Sequence, residues 1–179
     1  MKVLIVISSL LFAFQTMAQE VDSQKSEFKW LATKVTGKHF GKIPLKNAKL
    51  TLDKKTKVTG GEFILDLTQI TVDDLEGEWQ QKFLKHIKSK DFFEVSKWPT
   101  VKLVISKLDG KHAHGQLTIR DKTHPIKIKY TQKGKKYSGK IKFDRTKYGM
   151  VYGSGDFFKN LGDKMIHNEV TVDFVVQLK

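Results

Sequence analysis

The 179-residue chain has no cysteine. That excludes a disulfide framework, a thiolate nucleophile and a lipid anchor on an N-terminal cysteine, so stability has to come from packing. Long apolar runs are missing too. The one candidate, Val3 to Phe14, falls short of the ~20 residues a spanning helix needs, and Gln15, Gln19, Glu20 and Asp22 follow it closely. Catalytic motifs are equally scarce: there is no Gly-x-Ser-x-Gly and no His-Glu-x-x-His. Gly153-Ser154-Gly155 resembles a serine elbow only superficially, because the strand-then-helix context is lacking. Acidic residues are in deficit, 19 against 33 basic ones, for a net charge of +14. Such a field favours anionic partners, and lysines of this number also serve to keep an apolar-cored domain soluble.

What is present begins with a processing signal. A positive Met1-Lys2, the apolar run and the small residues Thr16-Met17-Ala18 read as a signal peptide over residues 1–18, cleaved before Gln19. The expectation is a periplasmic or secreted product, with residues 19–179 as one domain. No internal repeat, low-complexity tract or linker divides it.

Lysines alternate with apolar residues over much of this domain. Ile126-Lys127-Ile128-Lys129-Tyr130, Lys140-Ile141-Lys142-Phe143 and Val101-Lys102-Leu103 have period two, the mark of half-buried strands. Val170, Val172, Phe174, Val176 and Leu178 continue it on one face of the last segment. The pattern predicts strands near 27–36, 39–52, 57–70, 100–108, 113–121, 124–133, 136–146 and 169–178. Asn47, Asp53-Lys54-Lys55, Asp109-Gly110, Lys133-Gly134-Lys135 and the Gly149 to Gly155 segment supply turns. Short connections make antiparallel neighbours, and eight strands apolar on one face are best buried by curling into a barrel, although a two-sheet sandwich uses the same pattern. Trp79, Phe83, Leu84 and Ile87 instead share one helical face, predicting an amphipathic helix of about three turns after the third strand, as a lid or plug.

Five segments match a known family. Phe83 to Val95 reads FLKHIKSKDFFEV and is followed by Trp98-Pro99-Thr100. Trp30 to Gly41 reads WLATKVTGKHFG, and Val58 to Ile70 reads VTGGEFILDLTQI. Gly115 to Ile126 reads GQLTIRDKTHPI, and Phe143 to Gly149 reads FDRTKYG. In order and over the whole of residues 19–179, these resemble the YceI-like family of bacterial secreted lipid-binding proteins. Two departures stand out: Asp121 replaces an expected hairpin glycine, and Leu103 stands where the family often has phenylalanine. The resemblance implies an all-β, lipocalin-like antiparallel barrel, often a homodimer, holding an isoprenoid, quinone or other long-chain lipid in its lumen.

The inward positions of such a barrel are Trp30, Phe63, Leu65, Leu103, Ile105, Leu117, Ile119, Phe143, Val172 and Phe174, which predict a dry tunnel. His39, Arg120 and Arg145 are candidates for a head group at the rim; an outward salt bridge is the alternative for the two arginines. Aromatics outside the strands, Phe92-Phe93, Trp98, Tyr148, Tyr152 and Phe157-Phe158, pack the core or line an entrance. No cofactor and no catalytic role follow from these residues, and transient contact with a membrane surface is compatible with them. Three other readings are weighed. His112, His114 and His124 would serve a metal site, the basic surface would bind envelope polyanions, and basic residues beside aromatics would suit single-stranded nucleic acid, against which the signal peptide argues.

Overall fold

In a computed structural model, residues 19–55 and 57–179 are described. The predicted signal peptide lies outside them. Nine antiparallel strands form one sheet: β1 Glu27–Lys34, β2 Gly37–Lys42, β3 Leu45–Leu52, β4 Val58–Asp66, β5 Thr100–Leu108, β6 His112–Ile119, β7 Lys122–Lys133, β8 Lys136–Asp144 and β9 Ile166–Gln177. Their order is β2-β1-β9-β8-β7-β6-β5-β4-β3.

That order forces the sheet to curl. Laid flat, strands ~4.8 Å apart would put the edges of a nine-stranded sheet about 38 Å from each other. Yet the edge strands β2 and β3 are joined only by Ile43 and Pro44, which span about 7 Å. The Ile43 amide donates to the Phe28 carbonyl of β1 at 3.0 Å, and the Pro44 carbonyl accepts from the amide of Asp66, the last residue of β4, at 2.9 Å. The backbone therefore changes partner at the proline, whose missing N–H cannot continue a ladder.

This is where the count of eight strands needs correcting. The predicted strand 39–52 is two strands, and the helix consequently follows the fourth strand, not the third. The alternation runs through Ile43-Pro44 without a turn signal, so period two alone does not reveal the break. Asn47 makes no turn either; it lies at a register shift in the pairing of β3 with β4. Predicted strand 57–70 stops at Asp66, whose carboxylate accepts from the Thr68 amide and caps a 3₁₀ turn at Leu67–Gln69.

The free edge of β2 is covered from outside by residues 71–74. The Thr71 amide donates to the Lys42 carbonyl and the Asp73 amide to the Phe40 carbonyl, at 2.9 and 2.8 Å. Gly41 permits this approach, since a Cβ there would sit 2.2 Å from the Thr71 carbonyl oxygen. Covering the edge removes a template for aggregation.

Period two holds around the barrel. Val101, Leu103 and Ile105 are buried while Lys102 is exposed, and Ile128, Tyr130 and Ile141 are buried between exposed lysines. On the outer face Lys102 meets Glu62, Lys140 meets Asp173 and Lys142 meets Glu169 across strands at 2.7–2.9 Å. Exposed pairs of this kind contribute about 1 kcal/mol or less each.

The helix α1, Gly77–Ile87, buries Ile87 and half-buries Phe83 and Leu84, but Trp79 is 71 % exposed. Its first turn overhangs the barrel, and Trp79 lies under the Lys82 ammonium at 5.2 Å instead of in the core.

Candidate functional site

The ladders place all long connections at one end. The β1–β2 turn, the β4–β5 connection that carries α1, the β6–β7 turn and the long β8–β9 connection meet there; call it the wide end. At the narrow end lie the β3–β4, β5–β6 and β7–β8 turns, together with Val21, which bridges to Leu178.

Two cavities occupy the interior. The larger, about 370 Å³, lies toward the wide end, within the usual ~300–1,000 Å³ of ligand pockets. Its lining runs from buried Leu117 and Ile119 out to exposed Tyr152 and Lys164, so it opens at that end. The smaller, about 70 Å³, lies toward the narrow end and is lined by Leu108, Ala113, Ile128, Tyr130, Val176 and Leu178 among others. Phe28, Phe63, Leu103 and Ile141 border both and separate them.

Of the predicted lumen residues, Trp30, Phe63, Leu65, Leu103, Leu117, Ile119, Phe143 and Val172 line the larger cavity. Ile105 and Phe174 line the smaller one, because they sit nearer the narrow ends of β5 and β9. Several lining residues escape a strand-by-strand reading. Phe28 and Val170 share the faces of Trp30 and Val172 and were accessible to it; Phe83 and Ile87 lie on the predicted helical face. Met150 and Lys164 come from an aperiodic connection, which carries no such signal, whereas Tyr152 on the same connection is one of the aromatics expected to pack the core or line an entrance.

The aromatic entrance is assembled from three segments. Phe83 stacks on Trp30, centroids 6.2 Å apart and planes 3° from parallel, and tilts against His39 at 4.5 Å. His86 meets Phe92 and Tyr152 edge-on at 5.1 and 4.7 Å.

The three head-group candidates separate. His39 lines the larger cavity and shares a 2.8 Å hydrogen bond between its Nδ1 and Asp74 Oδ2. Burial pushes the Asp74 carboxyl up, but hydrogen bonds from the Phe40 amide and His39 outweigh it and hold the group below the ordinary carboxylate value. Arg145 also lines the cavity and is only 2 % exposed. Its Nε donates to the His167 carbonyl at 3.1 Å, Nη2 to the Ile166 carbonyl at 3.0 Å, and Nη1 to the Met150 carbonyl. Burial pushes its pKa down against the pull of Asp144. Behind the wall, Tyr148 packs edge-on against Phe143 at 5.6 Å, and burial pushes its phenol up to about 12.

Arg120 lines neither cavity and makes an ion pair, the alternative weighed for it. Its Nη2 pairs with Glu94 at 2.8 Å and its Nη1 donates to the Phe92 and Gly149 carbonyls at 3.3 and 3.2 Å. Arg120, Glu94 and Gly149 all have positive φ, 57°, 49° and 78°. Three left-handed turns thus meet at one guanidinium, which clasps two wide-end connections to the β6–β7 hairpin.

The sequence matches the YceI-like domain family over residues 19–178. The chain belongs to that family. It matches no curated protein. Among solved structures, BcnA from Burkholderia cenocepacia aligns with a TM-score of 0.66 at 19% identity, over 89% of this chain and 99% of its own. A polyisoprenoid binding domain from Saccharophagus degradans, implicated in plant cell wall breakdown, aligns with a TM-score of 0.62 at 11% identity, over 90% and 98%. The YceI protein of Campylobacter jejuni gives 0.55 at 14%, over 76% and 84%. At such identities the likeness establishes a shared YceI-like fold.

Within that fold the two departures have local readings. The left-handed residue of the β6–β7 turn is Arg120, so Asp121 is not asked for a glycine conformation. Leu103 stands in the wall between the two cavities, where a side chain smaller than phenylalanine leaves more free space. The histidines of this YceI-like chain are engaged locally: His112 and His114 approach Asp109 at 3.7 and 2.9 Å, and His124 Nε2 lies 3.0 Å from the Lys147 carbonyl. Among the described residues no group of three or more His, Asp or Glu side chains is arranged to hold a metal ion. Ser154 is fully buried, and its hydroxyl accepts from the Asp156 amide at 3.3 Å in a turn.

Proposed function

We propose that this YceI-like protein is a non-catalytic carrier that holds the chain of an isoprenoid, quinone or similar long amphiphile in its larger cavity. The observation that carries this is the cavity itself: mainly apolar, opening at one end of the barrel, and lined by most of the positions that period two aims inward. Each methylene buried there contributes ~0.8 kcal/mol, so a tail of a few isoprene units binds without a specific polar contact, and selectivity for tail type is loose. The polyisoprenoid-binding domain of S. degradans, with the same fold, supports the reading.

Export as a periplasmic or secreted protein rests on the signal-peptide pattern of residues 1–18. N-terminal sequencing of the exported protein checks it: the expected first residue is Gln19. Among the described residues no helix is long and apolar enough to cross a membrane. Transient contact with a bilayer is supported by Trp79, Phe157 and Phe158, exposed on connections of the wide end.

The decisive experiment is to purify the protein from its own host, extract it and identify the bound lipid by mass spectrometry. A stoichiometric long-chain lipid is expected; protein that is empty and takes up no long-chain lipid afterwards overturns the carrier. Nucleic acid is disfavoured because the lysines are interleaved with apolar strand positions instead of gathered on one platform. Filter binding at physiological salt checks this: retention is expected to be weak and to fall steeply with added salt.

A further inference from the structure

The ionisable lining of the larger cavity has one sign. Apart from the Tyr152 phenol it consists of Lys34, His39, His86, Arg145 and Lys164, and no aspartate or glutamate contributes. His39 and His86 are matched by Asp74 and Asp91, at 2.8 and 3.3 Å. Lys34, Arg145 and Lys164 have no carboxylate within ion-pairing distance among the described residues.

These three cations converge on one point of the wall. Lys34 pairs with Ile166 across β1 and β9, the Arg145 Nη2 donates to the Ile166 carbonyl, and Lys164 lies two residues upstream in the same segment. Arg145 is the informative member. Asp144, its neighbour in sequence, spends its Oδ1 on the Thr146 amide and hydroxyl at 2.8 and 2.6 Å. The guanidinium is therefore a buried cation bonded to carbonyls, with Asp144 acting on it through space but forming no ion pair with it. A guanidinium has five N–H donors, and three bonds to carbonyls leave one hydrogen on each terminal nitrogen. A buried charge without a counter-charge is costly, and an anion brought to it offsets that cost while meeting strong, charge-assisted donors.

We infer that the amphiphile has an anionic head, a carboxylate or a phosphate, seated by Arg145, Lys34 and Lys164 with its tail running toward the narrow end. This rests on the carrier reading and deepens it, since a neutral head group would leave the three cations unmatched. The two lysines draw the head to the entrance, and Arg145 marks how far it descends.

A matched series of sixteen-carbon ligands on delipidated protein tests the inference by calorimetry: palmitate, hexadecyl phosphate, hexadecanol and palmitamide, with inorganic phosphate alone as the soluble-anion arm. The anionic amphiphiles are expected to bind about tenfold or more tighter than the alcohol and the amide, with inorganic phosphate far weaker than hexadecyl phosphate. In the K34Q/K164Q double variant, which leaves the buried Arg145 untouched, the palmitate-to-hexadecanol affinity ratio is expected to fall toward one. Arg145→Met should lower the ratio further if the barrel folds, and the lysine variant decides the matter if it does not. Equal affinity for acid and alcohol would overturn the anionic head and leave the carrier standing. Inorganic phosphate binding as tightly as hexadecyl phosphate would make this a soluble-anion site instead of a lipid head-group site. Failure of every sixteen-carbon ligand to bind would overturn the carrier and this inference together.

Discussion

The two ends of the barrel are built from the same strands and do different work. At the narrow end, tight turns such as Asp109-Gly110 and Lys133 to Lys136 reverse the chain at once, and Val21 and Leu178 bridge across it. The space left there is about 70 Å³. At the wide end, connections of 33 and 21 residues (67–99 and 145–165) supply α1, an aromatic entrance and two of the three unmatched cations, and the space left is about 370 Å³. The short turns hold the strands so that the long connections can leave their cavity unfilled. The narrow end leaves little free space inside the sheet, and the capacity to take a ligand lies at the other end.

The comparison is broken most severely by placing a charge in the wide cavity. Leu117→Lys puts an ammonium among Trp30, Leu65 and Val172, and binding of a long-chain lipid is expected to fall by more than about a hundredfold. Circular dichroism should show that the strands persist. If the variant folds and still binds the tail at full strength, the ligand lies elsewhere.

A truncation at the other end should have the opposite profile. Ile128 is buried against the small cavity, and Ile128→Ala is expected to destabilise the barrel by about 3 kcal/mol, read as a lower urea midpoint. Its effect on lipid affinity should stay within a few-fold. Leu117→Ala, bordering space that is already empty, should cost less than Ile128→Ala, because fewer packed neighbours lose contact.

The clasp at Arg120 sharpens the comparison at an intermediate level. Arg120→Ala leaves Glu94 half-buried without its partner, and a loss of about 1–3 kcal/mol is expected. A double-mutant cycle with Glu94→Gln should give a positive coupling energy. Lipid affinity should change only a few-fold, since the side chain does not reach the cavity; complete loss of binding would restore Arg120 to the rim.

The smallest effect concerns acid. The folded-state pKa of Asp74 lies below its ordinary value, so its contribution to stability is present above the unfolded pKa of ~3.9 and is lost as pH falls through the folded value. The native protein should exceed Asp74→Asn in stability by under about 1 kcal/mol at pH 7, and the two should converge once the pH lies below the folded-state pKa. Urea titrations at several pH values measure that difference directly.

Much of this architecture was legible in the order of residues. Lys127 and Lys129 between Ile126, Ile128 and Tyr130 announce a strand, its two faces and its wet side. Phe83, Leu84 and Ile87 announce the helix and the side by which it docks. Eight of the ten positions that period two aims inward lie on the wall of the larger cavity, because a side chain that points inward from a strand has nowhere else to go. The errors fall where a local pattern has two equivalent continuations. Residues 39–52 read as one strand because a bend at Ile43-Pro44 preserves alternation on both sides of it, and Trp79 has the spacing of a core residue although nothing reaches out to cover it.

The sequence alone determined that this chain is all-β with one helix, which faces of its strands are apolar, that its exterior is basic, and the YceI-like pattern of its segments, for these properties depend on neighbours one to four positions apart. Only the tertiary structure decided that the edge strands join and curl the sheet, that Arg145 enters the cavity while Arg120 stays outside, and that Lys34, Arg145 and Lys164 meet at Ile166. Those outcomes depend on contacts that range from some twenty positions, as between Arg145 and Ile166, to more than a hundred, as between Lys34 and Ile166, and no local period encodes such a distance.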